Sequence, residues 1–243
     1  MKKGKFYIGT SGWHYDHWKG PFYPSDLASK GFLDHYLKFF STVEINRTFY
    51  GLPLRKVFTG YAKKVPAAFV FSVKASRFIT HVKRLKNPKL PLRRLFSRIE
   101  GLGPHLGPIL FQLPPNWKVN VERLHSFLKA LPRGRRYVFE FRDSSWLVEE
   151  VYELLKRYGA GFCIYELDHF ITHVVETADF IYVRLHGPKA AYGGKYSLAA
   201  LKKWARLFRQ AASKGKDVYC YFDNDEAGYA ALNAKTLKQL LKA

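Results

Sequence analysis

Short apolar runs alternate with amphipathic stretches along almost the whole chain. The runs are rich in β-branched and aromatic residues, which is typical of parallel strands buried on both faces. We therefore predict eight parallel strands. They are Phe6–Thr10, Thr42–Asn46, Phe69–Lys74, Pro108–Gln112, Tyr137–Arg142, Gly161–Tyr165, Phe180–His186 and Val218–Phe222.

Between these runs, apolar residues recur three and four positions apart, the spacing of a helix with one buried face. A final helix is predicted over Ala231–Leu241, and only Glu166–Ala178 lacks a helical pattern. The clearest apolar faces are Leu33, Tyr36, Leu37 and Phe40; Leu124, Phe127, Leu128 and Leu131; Val151, Leu154, Leu155 and Tyr158; and Leu201, Trp204, Ala205 and Phe208.

Eight strand–helix units joined by right-handed crossovers close into a barrel. The sequence thus predicts an α/β protein with a single (β/α)8 TIM-like barrel domain over residues 1–243. One helix, between the sixth and seventh strands, is expected to be irregular or missing. The alternative is an open doubly wound sheet, but GTSGW after the first strand is not the GxGxxG fingerprint of such folds.

Length and composition fit a globular, cytoplasmic protein. The chain has 243 residues with 47% hydrophobic content, close to the roughly 250 residues of a typical barrel. We expect no membrane association, because no apolar run reaches about 18 residues, and MKKGKFYIGTSGW does not resemble a signal peptide. Cys163 and Cys220 lie in strand-like runs and are interpreted as reduced core residues. One Met, two Cys and three Gln hint at a thermophile.

The formal net charge of +22 is unevenly distributed. No acidic residue lies between Glu44 and Glu100, whereas fourteen Lys or Arg do, and Phe180–Lys216 is acid-free with nine more. Long stretches of one sign favour a polyanionic partner, and nucleic acid is the expected one. A general solubility charge, in a cell with high internal salt or heat, is the alternative.

Polar residues cluster where the predicted strands end. In a barrel, chemistry occurs at these carboxyl ends, and side chains two positions apart on a strand share a face. The pairs Glu44 with Asn46, Glu140 with Arg142, and Arg184 with His186 follow this rule, so we expect one polar pocket. A purely structural network of internal ion pairs is the alternative. The complete set is Thr10, Ser11, Glu44, Asn46, Lys74, Gln112, Glu140, Arg142, Arg184, His186, Asn224 and Asp225.

Seven ordered segments cover essentially the whole chain and resemble one family. They are GTSGWHYDHWKGPFYP, FSTVEINRTFYGLP, FSVKASRFITH, LGPILFQLPP, FEFRDSSW, TADFIYVRLHG followed by YGGKYS, and YFDNDEAGYAALNA. In these segments the chain is similar to the YecE-like proteins, domain-of-unknown-function family seventy-two. The resemblance implies a TIM-barrel-like fold and supplies no activity. The chain departs from the family pattern at Arg47, Asp143 and Asp223, where a small residue, His and Asn are usual.

Several chemistries are compatible with the strand-end residues. Two carboxylates permit acid–base catalysis if their surroundings separate their pKa values, and arginines hold anions. Lys74 is either a fixed cation for phosphate or a Schiff-base nucleophile. Metal catalysis is a weaker alternative, with Glu44, Glu140 and His186 as ligands or with the pairs His14/His17 and His169/His173. Serine or cysteine nucleophiles lack their sequence context.

Aromatic and basic residues surround the predicted pocket. Trp13, Trp18, Phe49, Tyr50 and Trp146 follow strands, where they either stack on a sugar or base or pack the loops. The segment Ser76–Pro91 is interpreted as a long basic loop that meets a phosphate backbone. It contains Arg77, His81, Lys83, Arg84, Lys86 and Lys89.

The sequence predicts a hydrolase or lyase that cleaves a phosphodiester or N-glycosidic bond of nucleic acid. The alternatives are an enzyme acting on a phosphorylated sugar or another small anion in the barrel mouth, and a non-catalytic nucleic-acid-binding module. No metal or other cofactor is expected, and the oligomeric state is left open. The predicted catalytic residues are Glu44, Glu140, Lys74 and His186, and the predicted substrate-binding residues are Ser11, Trp13, Asn46, Tyr50, His81, Gln112, Arg142, Trp146, Arg184 and Asn224.

Overall fold

The computed structural model describes residues 3–242. The strands are β1 (Phe6–Thr10), β2 (Thr42–Ile45), β3 (Val70–Lys74), β4 (Leu106–Gln112), β5 (Tyr137–Glu140), β6 (Gly161–Leu167), β7 (Phe170–Ile171), β8 (Phe180–Leu185) and β9 (Asp217–Phe222). The α-helices are α1 (Phe32–Leu37), α2 (Arg47–Tyr50), α3 (Arg55–Ala62), α4 (Lys89–Ile99), α5 (Val121–Lys129), α6 (Glu149–Arg157), α7 (Leu198–Ser213) and α8 (Tyr229–Lys242).

The strands form a sheet in the hydrogen-bonded order β1-β9-β8-β6-β5-β4-β3-β2. Just past β1, Ser11 makes a parallel bridge to Glu44 of β2, the strand at the other end of this order. Within residues 3–242, the eight strands other than β7 are parallel and form a nearly closed barrel. The predicted (β/α)8 TIM-like fold is therefore confirmed, and the open doubly wound alternative is excluded.

Strand β1 approaches β2 closely because Gly9 carries no side chain. A Cβ atom at Gly9 would lie 2.4 Å from the carbonyl oxygen of Thr42, well inside van der Waals contact. The Tyr36 hydroxyl donates to Thr42 O at 2.9 Å and accepts from the Thr10 amide at 3.1 Å. Gly9 and Tyr36 thus fix the spacing at which Ser11 reaches Glu44.

The ends of α6 and α7 have side chains that stabilise the unpaired backbone groups found at helix termini. Helix α6 begins with Glu149 and Glu150 and ends with Lys156 and Arg157, which complements its macrodipole. Ser197 caps α7 by accepting a hydrogen bond from the Ala200 amide at 3.2 Å. These local signals agree with the helical periodicity of the sequence.

The predicted gap in the helical pattern is confirmed. Within 166–178 the described chain forms no helix. Instead, β7 pairs with β6 in antiparallel fashion, with Leu167 opposite Phe170. The intervening Asp168 and His169 have φ angles of 49° and 64°, the left-handed backbone of a tight hairpin turn. A hairpin therefore replaces the helix at this position.

Three strands end earlier than predicted. Strand β2 stops at Ile45 because Asn46 has helical backbone angles, φ −91° and ψ −23°, and leads into α2. Strands β5 and β8 stop at Glu140 and Leu185. The second member of each predicted polar pair therefore lies just beyond its strand.

The sequence predicts a long basic loop over Ser76–Pro91. This prediction is wrong, because most of the segment is helical. Phe78–Val82 forms a π-helical turn closed by the Lys83 amide, which donates to Phe78 O at 2.8 Å. Helix α4 then begins at Lys89. The many basic residues of this segment conceal its buried apolar positions Ile79 and Leu85, and the same holds for Leu92 and Leu95 further along α4.

The described chain divides into two compact units. The first comprises residues 3–44, 164–174 and 179–242, and the second comprises residues 45–163 and 175–178. The sequence prediction of a single domain stays a prediction. Among residues 3–242, no helix combines the length and apolar character needed to cross a membrane.

Candidate functional site

The first unit contains a buried polar cluster around the Glu44 carboxylate. Glu44 is fully buried and accepts hydrogen bonds from Ser11 Oγ at 2.7 Å and from the Tyr182 hydroxyl at 2.6 Å. The Arg184 guanidinium donates to it from Nη2 at 2.8 Å and from Nε at 3.1 Å. Since Arg184 is equally buried, the pair is an internal ion pair whose charges are compensated inside the protein. We call this group, with His186 and Asp223, the Glu44 cluster.

Arg184 also links Glu44 to a histidine and a second carboxylate. Its Nη2 lies 3.0 Å from Asp223 Oδ2, and its Nη1 lies 3.1 Å from His186 Nε2. A guanidinium can only donate, so Nε2 accepts from Arg184, while Nδ1 lies 3.0 Å from Asp223 Oδ2. The Asp223 side chain is 14% exposed. The cluster therefore reaches solvent only through Asp223.

The second unit contains a different cluster, around the Glu140 carboxylate at the end of β5. Glu140 is fully buried, and its Oε1 accepts from Gln112 Nε2 at 2.8 Å and from Arg142 Nε. Its Oε2 lies 3.9 Å from the Cys163 thiol, a weak donor. The Arg142 side chain is 11% exposed. The Arg142–Glu140 ion pair therefore has its carboxylate in the interior and its guanidinium close to the surface of this unit.

His81 lies close enough to several cations and to this carboxylate for their charges to shift its pKa. Lys74 is 8% exposed, and its Nζ lies 4.2 Å from the centre of the Phe49 ring. The His81 ring meets the same Phe49 edge to face at 4.9 Å. Burial, and then the positive charges of Lys74 and Arg77, lower the pKa of His81 from 6.5 to about 4. The imidazole is therefore neutral at physiological pH in a positively charged site.

We call these residues the Glu140 cluster: Lys74, Arg77, His81, Gln112, Glu140 and Arg142. Glu140 opposes the cations and raises the pKa of His81, while Arg142 lowers it further. The cluster contains three cationic side chains and one carboxylate, so its net charge is positive. A site of this kind favours an anionic ligand.

The structure separates the predicted aromatic residues into packed and exposed side chains. Trp146 is fully buried, its Nε1 donates to Trp117 O at 2.5 Å, and its ring stacks on Phe141 at 5.0 Å. Trp13 is 8% exposed, whereas Tyr50 is 78% exposed. The packing interpretation accounts for Trp146, and Tyr50 has a free face for a ligand.

Two predicted amides have unused acceptors. The Oδ1 atoms of Asn46 and Asn224 are buried, and neither has a hydrogen-bond partner among residues 3–242. Asn224 Nδ2 donates to Gly194 O at 2.8 Å and to Asn233 Oδ1 at 3.0 Å. A buried acceptor without a donor costs free energy, so each amide is suited to accept a hydrogen bond from a ligand or a water molecule.

The metal alternatives gain no cluster of ligands in the structure. His17 Nε2 lies 3.2 Å from Asp225 Oδ2, and the His14 ring packs on Phe32 at 5.3 Å. Among residues 3–242, no three His, Cys, Asp or Glu side chains converge in a geometry that could hold a metal ion.

Sequence reasoning missed Tyr182 as a member of the Glu44 cluster. It lies two residues before Arg184 on β8, so strand alternation places both on one face. A tyrosine inside an apolar run indicates ordinary core packing, and only the hydroxyl contact to Glu44 reveals its polar role. In the sequence, Asp223 stands out only as a departure from the family pattern.

Fold and clusters together define the class: a TIM-like barrel protein with charged side chains at the carboxyl ends of its strands. Residues 7–243 match the family described as "Protein of unknown function DUF72". The chain belongs to this family, which confirms the resemblance seen in the sequence.

Individual relatives agree with this assignment. The UPF0759 protein YunF of Bacillus subtilis is 27% identical over 270 residues, covering 97% of this chain and 94% of YunF. The crystal structure of a DUF72 family protein from Thermotoga maritima is similar with a TM-score of 0.89 and 31% identity, over 98% of this chain and all of that one. A DUF72 family protein from Enterococcus faecalis, at 16% identity, covers 98% of this chain and 96% of its own with a TM-score of 0.82, and shares the fold.

Proposed function

We propose that the protein is an enzyme that cleaves nucleic acid, as a hydrolase or lyase, at a phosphodiester or N-glycosidic bond. The Glu140 cluster is its substrate site. The observation that carries this proposal is that His81 and Lys74 pack on the same Phe49 ring, and that burial and the charges of Lys74, Arg77 and Arg142 lower the pKa of His81 to about 4. Lys74, Arg77 and Arg142 supply charge for a phosphate group, and His81 supplies a site for proton transfer.

Substrate binding tunes the histidine in this scheme. A bound phosphate offsets the three cations and therefore raises the pKa of His81 toward neutrality, where a general base works best. For a phosphodiester, His81 takes a proton from the attacking water, whose oxygen bonds to phosphorus. The P–O bond to the leaving group breaks, and the imidazolium returns the proton to the leaving oxygen. Glu140 holds Arg142 in place through its ion pair.

The Glu44 carboxylate is not the proposed general base. Both oxygens of Glu44 already accept hydrogen bonds, from Ser11, Tyr182 and Arg184. The ion pair between the buried Glu44 and Arg184 supports a structural role for this carboxylate. Catalysis by Glu44 and His186 in one pocket with Glu140 stays a prediction of the sequence.

A phosphorylated sugar is the second candidate substrate. The low exposure of Lys74 and Arg142, 8% and 11%, favours a small anion that enters deeply. The fourteen basic and no acidic residues between Glu44 and Glu100 favour nucleic acid instead, because a small anion needs only a local charge.

A screen of RNA and DNA oligonucleotides beside phosphorylated sugars tests the proposal. On whichever substrate turns over, Glu140→Gln should lower kcat by roughly a hundredfold, because it removes the charge that positions Arg142, and misplacing such a group by about 1 Å can cost that much. Lys74→Met should raise KM by weakening the contact with phosphate. The matched control is Glu150→Gln, an exposed carboxylate on α6 that should leave both constants unchanged.

Two results would count against this assignment. If Glu140→Gln folds, judged by circular dichroism, and turns over normally, Glu140 is structural. If oligonucleotides bind in a salt-sensitive manner and no substrate turns over, the protein is a binding module. A borohydride-trapped adduct on Lys74 would identify that lysine as a Schiff-base nucleophile instead of a fixed cation.

A further inference from the structure

The second unit has an open groove between α2, the Phe78–Val82 turn and α4. Its volume is about 1030 Å³, at the upper end of the roughly 300–1,000 Å³ of small-molecule sites. It is lined by Tyr50 and Phe78 and by the basic side chains of Lys83, Arg93 and Arg94. The groove is therefore both aromatic and cationic.

The rings that line the groove are unusually accessible. Tyr50 is 78% exposed and Phe78 is 47% exposed. Aromatic rings are normally buried, so exposed rings on one concave surface indicate a binding site. The Lys83 ammonium lies 5.7 Å from the centre of the Phe78 ring, so a cation is positioned beside a stacking surface.

The charge of the groove has one sign. Lys83, Arg93 and Arg94 are exposed, and no salt bridge engages them within residues 3–242. The segments that form the walls belong to the stretch between Glu44 and Glu100 that has no acidic residue. A polyanion is the complementary partner.

Phe49 connects the groove to the Glu140 cluster. The Tyr50 ring contacts Phe49 edge to face at 5.1 Å. Phe49 in turn contacts His81 at 4.9 Å and lies 4.2 Å from Lys74 Nζ. A chain that stacks on Tyr50 therefore lies one aromatic ring away from the proposed catalytic histidine.

We propose that this groove binds single-stranded nucleic acid, with bases stacked on Tyr50 and Phe78 and phosphates at Lys83, Arg93 and Arg94. This inference rests on the proposed function and specifies that the substrate is single-stranded. In a duplex the faces of the bases are already stacked on one another, whereas in a single strand they are free to stack on protein rings. A site that offers two exposed rings beside cations therefore selects the single strand.

Binding of labelled oligonucleotides by the full chain, followed by fluorescence anisotropy, tests this inference. A 15-nucleotide single strand should bind more tightly than the duplex of the same sequence. Tyr50→Ala and Phe78→Ala should each weaken single-strand binding by roughly five- to a hundredfold, the range of one lost stacking contact. Tyr50→Phe, which keeps the ring, should bind like the wild type. Phe170→Ala is the matched control, because Phe170 is exposed but does not line the groove.

The charged residues give an independent readout. Arg93→Ala and Arg94→Ala should each lower the slope of log affinity against log salt by about 0.7, the value for one phosphate of a single strand. Arg157→Ala, an exposed arginine on α6, should leave the slope unchanged. This measurement holds even if one aromatic variant fails to fold.

Three outcomes would overturn the inference: duplex bound as tightly as single strand, normal binding by both alanine variants, or equal dependence on these residues with polyglutamate as the ligand. The last would identify a general polyanion surface for acidic proteins. Failure of the proposed function is a separate result. Single-strand binding through Tyr50 without any cleavage would refute the enzyme and leave the groove assignment in place.

Discussion

At the scale of single residues, His81 has the most informative chemistry. Its pKa is lowered from 6.5 to about 4 by burial and by neighbouring cations. Between these two pH values the unfolded chain binds more protons than the folded protein. The contribution of His81 to stability is therefore complete above pH 6.5 and is lost as the pH falls toward 4.

We predict that His81→Asn reduces the loss of unfolding free energy between pH 7 and pH 5. The variant lacks the group that must remain neutral in the folded state, so its stability should depend less on pH in this window. Urea denaturation at several pH values measures the difference. In parallel, NMR titration should place the His81 pKa near 4 and raise it when phosphate is added. A His81 pKa near 6.5 that does not change when phosphate is added would refute the cationic site.

At the scale of elements, the Glu44 cluster connects strands. Glu44 of β2 binds Ser11 at the end of β1 and Tyr182 and Arg184 of β8. One carboxylate thus joins three segments of the first unit, including β8, which is not adjacent to β1 or β2 in the strand order. Removing one partner of a buried ion pair leaves the other charge uncompensated, which costs far more than breaking an exposed pair.

Glu44→Gln should lower the free energy of unfolding by about 3 kcal/mol, the low end for a broken buried pair. Glu100→Gln is the matched control. It breaks a pair with Arg135, at 3.1 Å, whose side chains are 41% and 31% exposed, and exposed pairs contribute about 0–1 kcal/mol. Denaturant unfolding of both variants gives the comparison. Equal losses would mean that the Glu44 pair does not stabilise the fold, and a purely catalytic role would regain support.

At the scale of the whole molecule, the net charge of +22 dominates. The affinity for nucleic acid should fall roughly a thousandfold or more between 50 and 200 mM salt if six or more phosphates are contacted. Replacing Lys83, Arg84, Lys86 and Lys89 by alanine should lower the salt slope. The same number of substitutions at Lys202, Lys203, Arg206 and Arg209 tests the other acid-free stretch. Binding that is flat with salt, or absent at low salt, would contradict a nucleic-acid partner.

Much of the fold could be predicted because its signals are local. Apolar runs such as β1 and β4, and the spacing of α5 to α8, appear in consecutive residues. The absence of a helix after β6 was also predicted. The basic stretch around α4 is predicted incorrectly as a loop, because its charges conceal the buried Ile79 and Leu92.

The site was only partly predictable. The sequence by itself determined which polar residues end the strands, since each strand end is a local feature, and it determined the family through seven ordered motifs. The tertiary structure decided their partners: Glu44 with Tyr182, 138 positions away, and Phe49 with both Lys74 and His81. Pairing between distant strands, burial and the summed field of several cations depend on the folded arrangement, and no local pattern of residues encodes them.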